Sequence, residues 1–209
     1  MKRMKVVLSI AVAFLVWMGV PAQRNFAAEE IDPLGMEKTN GEKTMPLAGT
    51  KKILVAYFSH SGNTREIADQ IHKKVGGDIF EIQSVKPYPG DYDTVVKQAR
   101  EELDSGYKPA LKAKVEDIGA YDVIFIGFPI WWGTFPAPVR TFLSEYDLSG
   151  KSIVPFCTHE GSGLEQSVLD ISELCPKAIL LEGAAIWGRD VKTAQDKVSD
   201  WLREIKVIK

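Results

Sequence analysis

The sequence predicts an α/β three-layer sandwich: a five-stranded parallel sheet in the order 2-1-3-4-5 with helices on both faces, occupying residues 51–209. Three observations predict it. From Lys52 onward, short apolar runs alternate with helical patterns, the rhythm of repeated βαβ units. A hydroxyl-rich loop, Ser59-His60-Ser61-Gly62-Asn63-Thr64, stands directly after the first apolar run and opens the first helix. Right-handed crossovers, with an anion-binding loop on the first strand, favour this strand order and a ligand crevice between strands one and three.

Each element has its own justification. Strand one is the apolar run Ile53 to Phe58, and the helix after it, Thr64 to Val75, places Ile67, Ala68, Ile71 and Val75 on one stripe. Strand two is Asp78 to Gln83. The connection from Ser84 to Tyr121 is too long for a simple crossover; it carries Pro87-Tyr88-Pro89-Gly90 and then an amphipathic helix with Val95, Val96, Ala99 and Leu103. Strand three is Val123 to Gly127, with Pro136 and Pro138 suited to the start of the next helix. Strand four is Ile153 to Cys157, followed by a helix from Leu164 to Leu174 and a fifth strand from Ala178 to Leu181. The last helix, Val191 to Ile205, lines up Val191, Ala194, Val198, Trp201, Leu202 and Ile205.

The loop Ser59 to Thr64 reads as an anion site. A loop at the carboxyl end of a strand that opens a helix collects backbone N–H groups without intrahelical partners, and short hydroxyls add donors. Gly62 permits close approach of the backbone. A triphosphate loop needs Gly-Lys-Ser/Thr, whereas Gly62 is followed by Asn63 and Thr64. A dinucleotide loop needs three spaced glycines, and this loop has one. A single terminal phosphate remains.

The loops after strands three and four carry the other unusual chemistry. Pro129-Ile130-Trp131-Trp132-Gly133 places two adjacent tryptophans at the switch point, where they suit a planar ring. Thr158-His159-Glu160-Gly161-Ser162-Gly163 offers polar atoms and flexible backbone to the ring's edge, chiefly through Thr158, His159, Gly161, Ser162 and Gly163. Tyr88 and Tyr92 either reach the ring, shape a neighbouring pocket or pack at the surface, and Trp187 reads as structural.

The pattern Ser59, Ser61, Gly62, Thr64, with Pro-Ile-Trp-Trp-Gly and the later Gly-Ser-Gly, resembles the flavodoxins, in particular a short bacterial branch, over residues 51–209. That resemblance implies FMN as cofactor, with its phosphate on Ser59 to Thr64, its isoalloxazine against Trp131 and Trp132, and its pyrimidine edge near Thr158 to Gly163. It implies electron transfer to a redox partner protein or a small acceptor. The alternative is an NAD(P)H-dependent FMN oxidoreductase that reduces quinones or similar molecules. A flavin-free binding module on the same scaffold is the third class. One departure is the loop after strand four, where many flavodoxins stack a tyrosine and this chain has only His159 as a ring.

Other chemistries read poorly. Around Ser162 the upstream glycine of a nucleophile elbow is replaced by Glu160. His60, His72 and His159 are too scattered for zinc spacing, so no metal is expected, and no catalytic residue is assigned. Cys157 and Cys175 fall near opposite ends of a strand and a helix, and no disulfide between them is expected.

At the amino terminus, Lys2, Arg3 and Lys5 precede an apolar run from Val6 to Val20 and then Pro21-Ala22, the pattern of a secretory signal over residues 1–22. An uncleaved anchor is the other reading. Export to the periplasm or exterior follows, with membrane contact only through this segment. Residues 23–50, rich in turn residues and without periodicity, read as a disordered linker. Removing residues 1–22 takes three basic and no acidic residues from 26 Lys and Arg against 28 Asp and Glu, leaving a net charge of −5, which suggests no nucleic-acid partner.

Overall fold

In the computed structural model, residues 51–209 are described, and they form the expected sheet. The expected signal segment and linker, residues 1–50, lie outside the described residues. Strand β1 (Ile53–Tyr57) is followed by helix α1 (Asn63–Val75), strand β2 (Asp78–Glu81), helix α2 (Tyr92–Ser105), strand β3 (Val123–Pro129) and helix α3 (Ala137–Glu145). Strand β4 (Ser152–His159), helix α4 (Ser167–Leu174), strands β5 (Ile179–Leu180) and β6 (Ala184–Trp187) and helix α5 (Gln195–Glu204) complete the chain. The strands pair in parallel in the order β2-β1-β3-β4-β5, with β6 also on β4.

Strand alternation makes the three layers. Leu54 and Ala56 of β1, Ile124, Ile126 and Phe128 of β3, and Ile153 and Cys157 of β4 share one core with Val139, Phe142 and Leu143 of α3 and Ile171 of α4. Their neighbours in sequence, Val55, Tyr57, Val123, Phe125, Val154 and Phe156, point the other way, into a core with Ile67, Ala68 and Ile71 of α1 and Val198, Trp201 and Leu202 of α5. Both faces of the sheet are covered, as near-continuous apolar strands require. At the centre, Gly127 pairs with Phe156, and a Cβ at Gly127 would lie 2.1 Å from the Phe156 ring. That position admits no side chain.

Several elements differ from the sequence reading. The fifth strand is broken: β5 pairs with Ser152 and Ile153, β6 pairs with Phe156 to His159, and the ladder skips Val154 and Pro155. The carbonyl of Ile153 accepts from Leu181 N–H at 2.9 Å, so Ile153 and, two residues on, Pro155 turn their backbone groups toward this edge. Proline has no N–H to give there. The last helix is divided too: residues 188–193 form a 3-10 turn, and α5 starts only at Gln195. Strands β3 and β4 run further than expected, so Pro129, Thr158 and His159 belong to strand ends. Helix α4 begins at Ser167, three residues later than Leu164.

The long β2–β3 connection is built around α2. Asp91 caps it by accepting the Thr94 N–H at 2.9 Å, and Gly106 ends it at φ 63. An isolated antiparallel bridge between Ser84 and Leu111 closes the connection's base.

Candidate functional site

The loop after β1 ends at the amino terminus of α1, a 13-residue helix whose first N–H groups have no intrahelical partner. Gly62 caps it at φ 94, and a Cβ there would meet nothing within 4 Å among the described residues, so the space above the helix end is open. Ser59 Oγ accepts the Gly62 N–H at 3.1 Å, and Ser61 Oγ lies 3.5 Å from the Asn63 nitrogen. His60 and Ser61 are exposed, Ser59, Gly62 and Asn63 half-buried. Thr64 is buried, and its hydroxyl bonds that of Thr158 on β4 at 2.9 Å. The loop's own sequence contains no lysine or arginine. Arg65, next in the chain, is engaged by Glu81 at 2.5 Å and by the Tyr57 hydroxyl at 3.4 Å.

After β3, Trp131 and Thr134 exchange backbone hydrogen bonds of 2.8 and 3.2 Å around Trp132 and Gly133. Both central residues have positive φ, 52° at Trp132 and 80° at Gly133, as in the primed turns that usually hold Asn-Gly. The two indoles are used differently. Trp131 packs edge-on against Tyr88 at 5.0 Å, Phe58 at 5.6 Å and His60 at 5.7 Å. Trp132 is half exposed; its indole N–H donates to the Val96 carbonyl of α2 at 3.0 Å, and the Arg100 guanidinium lies 5.3 Å over its ring.

After β4, the Gly161 N–H donates to His159 Nδ1 at 2.9 Å, and Gly161 stands at φ 135. His159 is buried beside Trp187, 5.1 Å between ring centroids, with Arg189 stacked 4.2 Å from the Trp187 ring. Burial, reinforced by Lys197, lowers the His159 pKa below its ordinary value. Ser162 is exposed, and the Gly163 carbonyl, at a residue with φ 72, accepts the Cys157 thiol at 3.4 Å. Burial pushes that thiol up to about 12 and the Cys175 thiol up to about 11; both cysteines are free.

The three loops are tied together. Thr158 is the hub: its hydroxyl bonds Thr64, and its carbonyl accepts the Ile130 N–H at 3.0 Å. The Gln166 N–H donates to the Gly133 carbonyl at 3.2 Å, joining the second loop to the third. Gly188, which sequence reasoning did not single out, closes the group; a Cβ there would stand 2.2 Å from Glu160 Oε1 and 2.9 Å from Asn63 Nδ2. Its signal was the Trp187-Gly188 pair after the fifth strand. Tyr88 lies inside the aromatic cluster with its hydroxyl bonded to Glu102, whereas Tyr92 is exposed. Among the described residues, no three His, Cys, Asp or Glu side chains gather as metal ligands.

An open helix end with neutral donors, a tryptophan-bearing turn and a glycine-rich third loop meet at the switch point of a doubly wound sheet, where proteins of this fold class bind their ligands. The flavodoxin family profile matches residues 52–205, and the chain belongs to that family. A solved structure from Bacteroides eggerthii, described as a candidate flavoprotein, is 36% identical, with a TM-score of 0.67 over 76% of this chain and 99% of its own. The flavoprotein of Lactobacillus acidophilus, solved in complex with FMN, shares the fold at 23% identity and a TM-score of 0.59, over 71% of this chain and 99% of its own. An Escherichia coli protein described as an uncharacterized NAD(P)H oxidoreductase, YcaK, is 24% identical over 43% of this chain and 48% of its own. The flavodoxin of Haemophilus influenzae is 30% identical over 46% of this chain and 44% of its own. The chain thus spans about half the length of the curated relatives it matches.

Proposed function

We propose that this chain binds FMN through its three crevice loops and acts as an electron-transfer flavoprotein. The cofactor is FMN, in keeping with membership of the flavodoxin family. The observation that carries the reading is the meeting of an open, glycine-capped helix end with the Trp131-Trp132 turn and the β4 loop, held in register by Thr158. FMN, when bound, supplies the redox chemistry. The chain's own residues bind and orient it: the amino end of α1 and the hydroxyls of Ser59, Ser61 and Thr64 take the phosphate, and Trp131, Trp132 and Gly133 border the ring. Backbone groups from Thr158 to Gly163 meet its polar edge. Phosphate recognition by neutral donors and a helix end needs no lysine.

A second reading is reduction of quinones or similar small acceptors at the expense of NAD(P)H; the similarity to YcaK supports its use of NAD(P)H and says nothing of the acceptor. An anaerobic reduction of the FMN-loaded protein separates the two. Under the carrier reading dithionite bleaches the flavin band and NADH or NADPH does not; rapid bleaching by a nucleotide would establish the reductase instead. Failure to retain FMN after reconstitution would overturn both. Export remains part of the proposal, on the strength of the basic, apolar and small-residue order of residues 1–22. Amino-terminal sequencing of protein from the extracytoplasmic fraction should find a start near Gln23, and recovery of the chain from Met1 in the cytoplasm alone would refute it.

A further inference from the structure

A cavity of about 380 Å³ opens between α2 and the turn after β3. Val95, Val96 and Ala99 of α2 line it with Ile130, Trp131 and Trp132, and its polar members are His60 and Tyr92. It takes nothing from residues 158–163, the third loop of the crevice. Its walls are fixed on two sides. The Trp132 indole is hydrogen-bonded to Val96, and Trp131 leans on Tyr88, whose hydroxyl is bonded to Glu102 of the same helix. Gln98 secures the other Glu102 oxygen at 2.8 Å. A connection far longer than a crossover requires has thus been built into a wall beside the aromatic turn.

The lining states the ligand's chemistry. Among the described residues, no lysine, arginine, aspartate or glutamate lines the cavity, so a charged ligand, including the pyrophosphate of a dinucleotide, finds no partner there. Two indoles and four aliphatic side chains favour a flat apolar body. The Tyr92 hydroxyl and the His60 ring are hydrogen-bonding groups suited to carbonyl oxygens. The volume stands at the low end of small-molecule sites, about 300–1,000 Å³, enough for one or two fused rings. We propose that this cavity binds a small uncharged quinone. The cavity shares His60, Ile130, Trp131 and Trp132 with the loops assigned to FMN and so adjoins the flavin crevice; as the seat of an electron acceptor it rests on the FMN reading.

The probe is 2,3-dimethyl-1,4-naphthoquinone, titrated calorimetrically into the full chain with and without FMN. Saturable one-to-one binding is expected to both forms. Val96→Phe, which narrows the cavity, should weaken it about tenfold or more, while Tyr92→Phe, at an exposed residue, should weaken it by about threefold to tenfold, the range of one net hydrogen bond. Both variants should keep the parent's FMN affinity. Absence of saturable binding, or binding unchanged in both variants, would overturn the site. So would loss of quinone binding on FMN loading, or loss of FMN affinity in Val96→Phe, since either would make the cavity the flavin's own place. Quinone binding by protein that retains no FMN would support the site while removing the acceptor role, which separates this failure from that of the FMN reading.

Discussion

The Thr64–Thr158 pair gives the sharpest test of how the crevice is built. Both residues are almost wholly buried, their hydroxyls are 2.9 Å apart, and they join the first loop to the strand that carries the third. Thr64→Val keeps the shape and removes the oxygen, stranding the Thr158 hydroxyl where water does not reach it. A buried polar group without a partner costs about 1–3 kcal/mol, whereas replacing both partners by apolar groups of the same shape is nearly neutral. Each single substitution should therefore destabilise the FMN-free protein by about 1–3 kcal/mol, and the double Thr64→Val/Thr158→Val by clearly less than the sum. In thermal unfolding the singles should fall by about 2–4 °C per kcal/mol. FMN affinity, measured by quenching of flavin fluorescence, answers a second question. A hydroxyl has one proton and two lone pairs, so Thr64 can donate to a phosphate only while it accepts from Thr158. If it does so, the double variant regains stability but not FMN affinity. Additivity of the two stability effects within about 0.5 kcal/mol would refute the coupling, and an unchanged FMN affinity in all three variants would remove Thr64 from the site.

Three further outcomes are expected. Gly127→Ala drives a methyl to within 2.1 Å of the buried Phe156 ring and should cost about 3 kcal/mol or more by denaturant unfolding; Phe156→Leu in the same chain should recover part of it, and no recovery would show that the clash is not the cause. Trp132→Asn puts a residue tolerant of left-handed backbone at φ 52, so stability without FMN should stay within about 1 kcal/mol of the parent while FMN affinity falls about threefold to tenfold; an unchanged FMN affinity would remove the Trp132 ring from the cofactor. Because burial lowers the His159 pKa, the unfolded chain takes up its proton first as pH falls, so stability is lost from about pH 6.5 downward until the folded pKa is passed. Protonation at Nδ1 also breaks the bond from Gly161 N–H. His159→Gln should flatten that slope between about pH 7.5 and pH 5, and an identical slope would refute the assignment.

Much of this architecture could be read in advance because its signals are local. Ile53 to Thr64 announces a strand, a donor-rich loop and a helix within a dozen residues, and Trp131-Trp132-Gly133 announces a turn that must place rings somewhere. What escaped depended on orientation or on distance along the chain. Pro155 breaks the fifth strand only because its missing N–H faces the edge rather than β3, a matter of parity that composition does not reveal. Thr64 and Thr158 are 94 residues apart and each, alone, looks like an ordinary hydroxyl. Tyr88 and Tyr92 are four residues apart in sequence, yet one is a half-buried ring tied to Glu102 and the other an exposed residue at a cavity.

The distribution of ties around the crevice also bears on its energetics. Ordering a loop on binding costs free energy that is subtracted from affinity. Here the cost is met in folding: Thr158 fixes the first and second loops relative to β4, Gln166 fixes the second to the third, and Asn63 and Glu160 crowd Gly188 at the end of β6. None of these ties consumes the open space above Gly62. The helix end that suits a phosphate is therefore left accessible while the loops around it are held, and a ligand entering it meets donors already in place. Trp132 is held by a different logic, because its left-handed backbone costs about 1–2 kcal/mol relative to the ordinary regions. The Val96 hydrogen bond and the Arg100 stack offset that cost, which links the conformation of the aromatic turn to α2 and, through α2, to the cavity beside it.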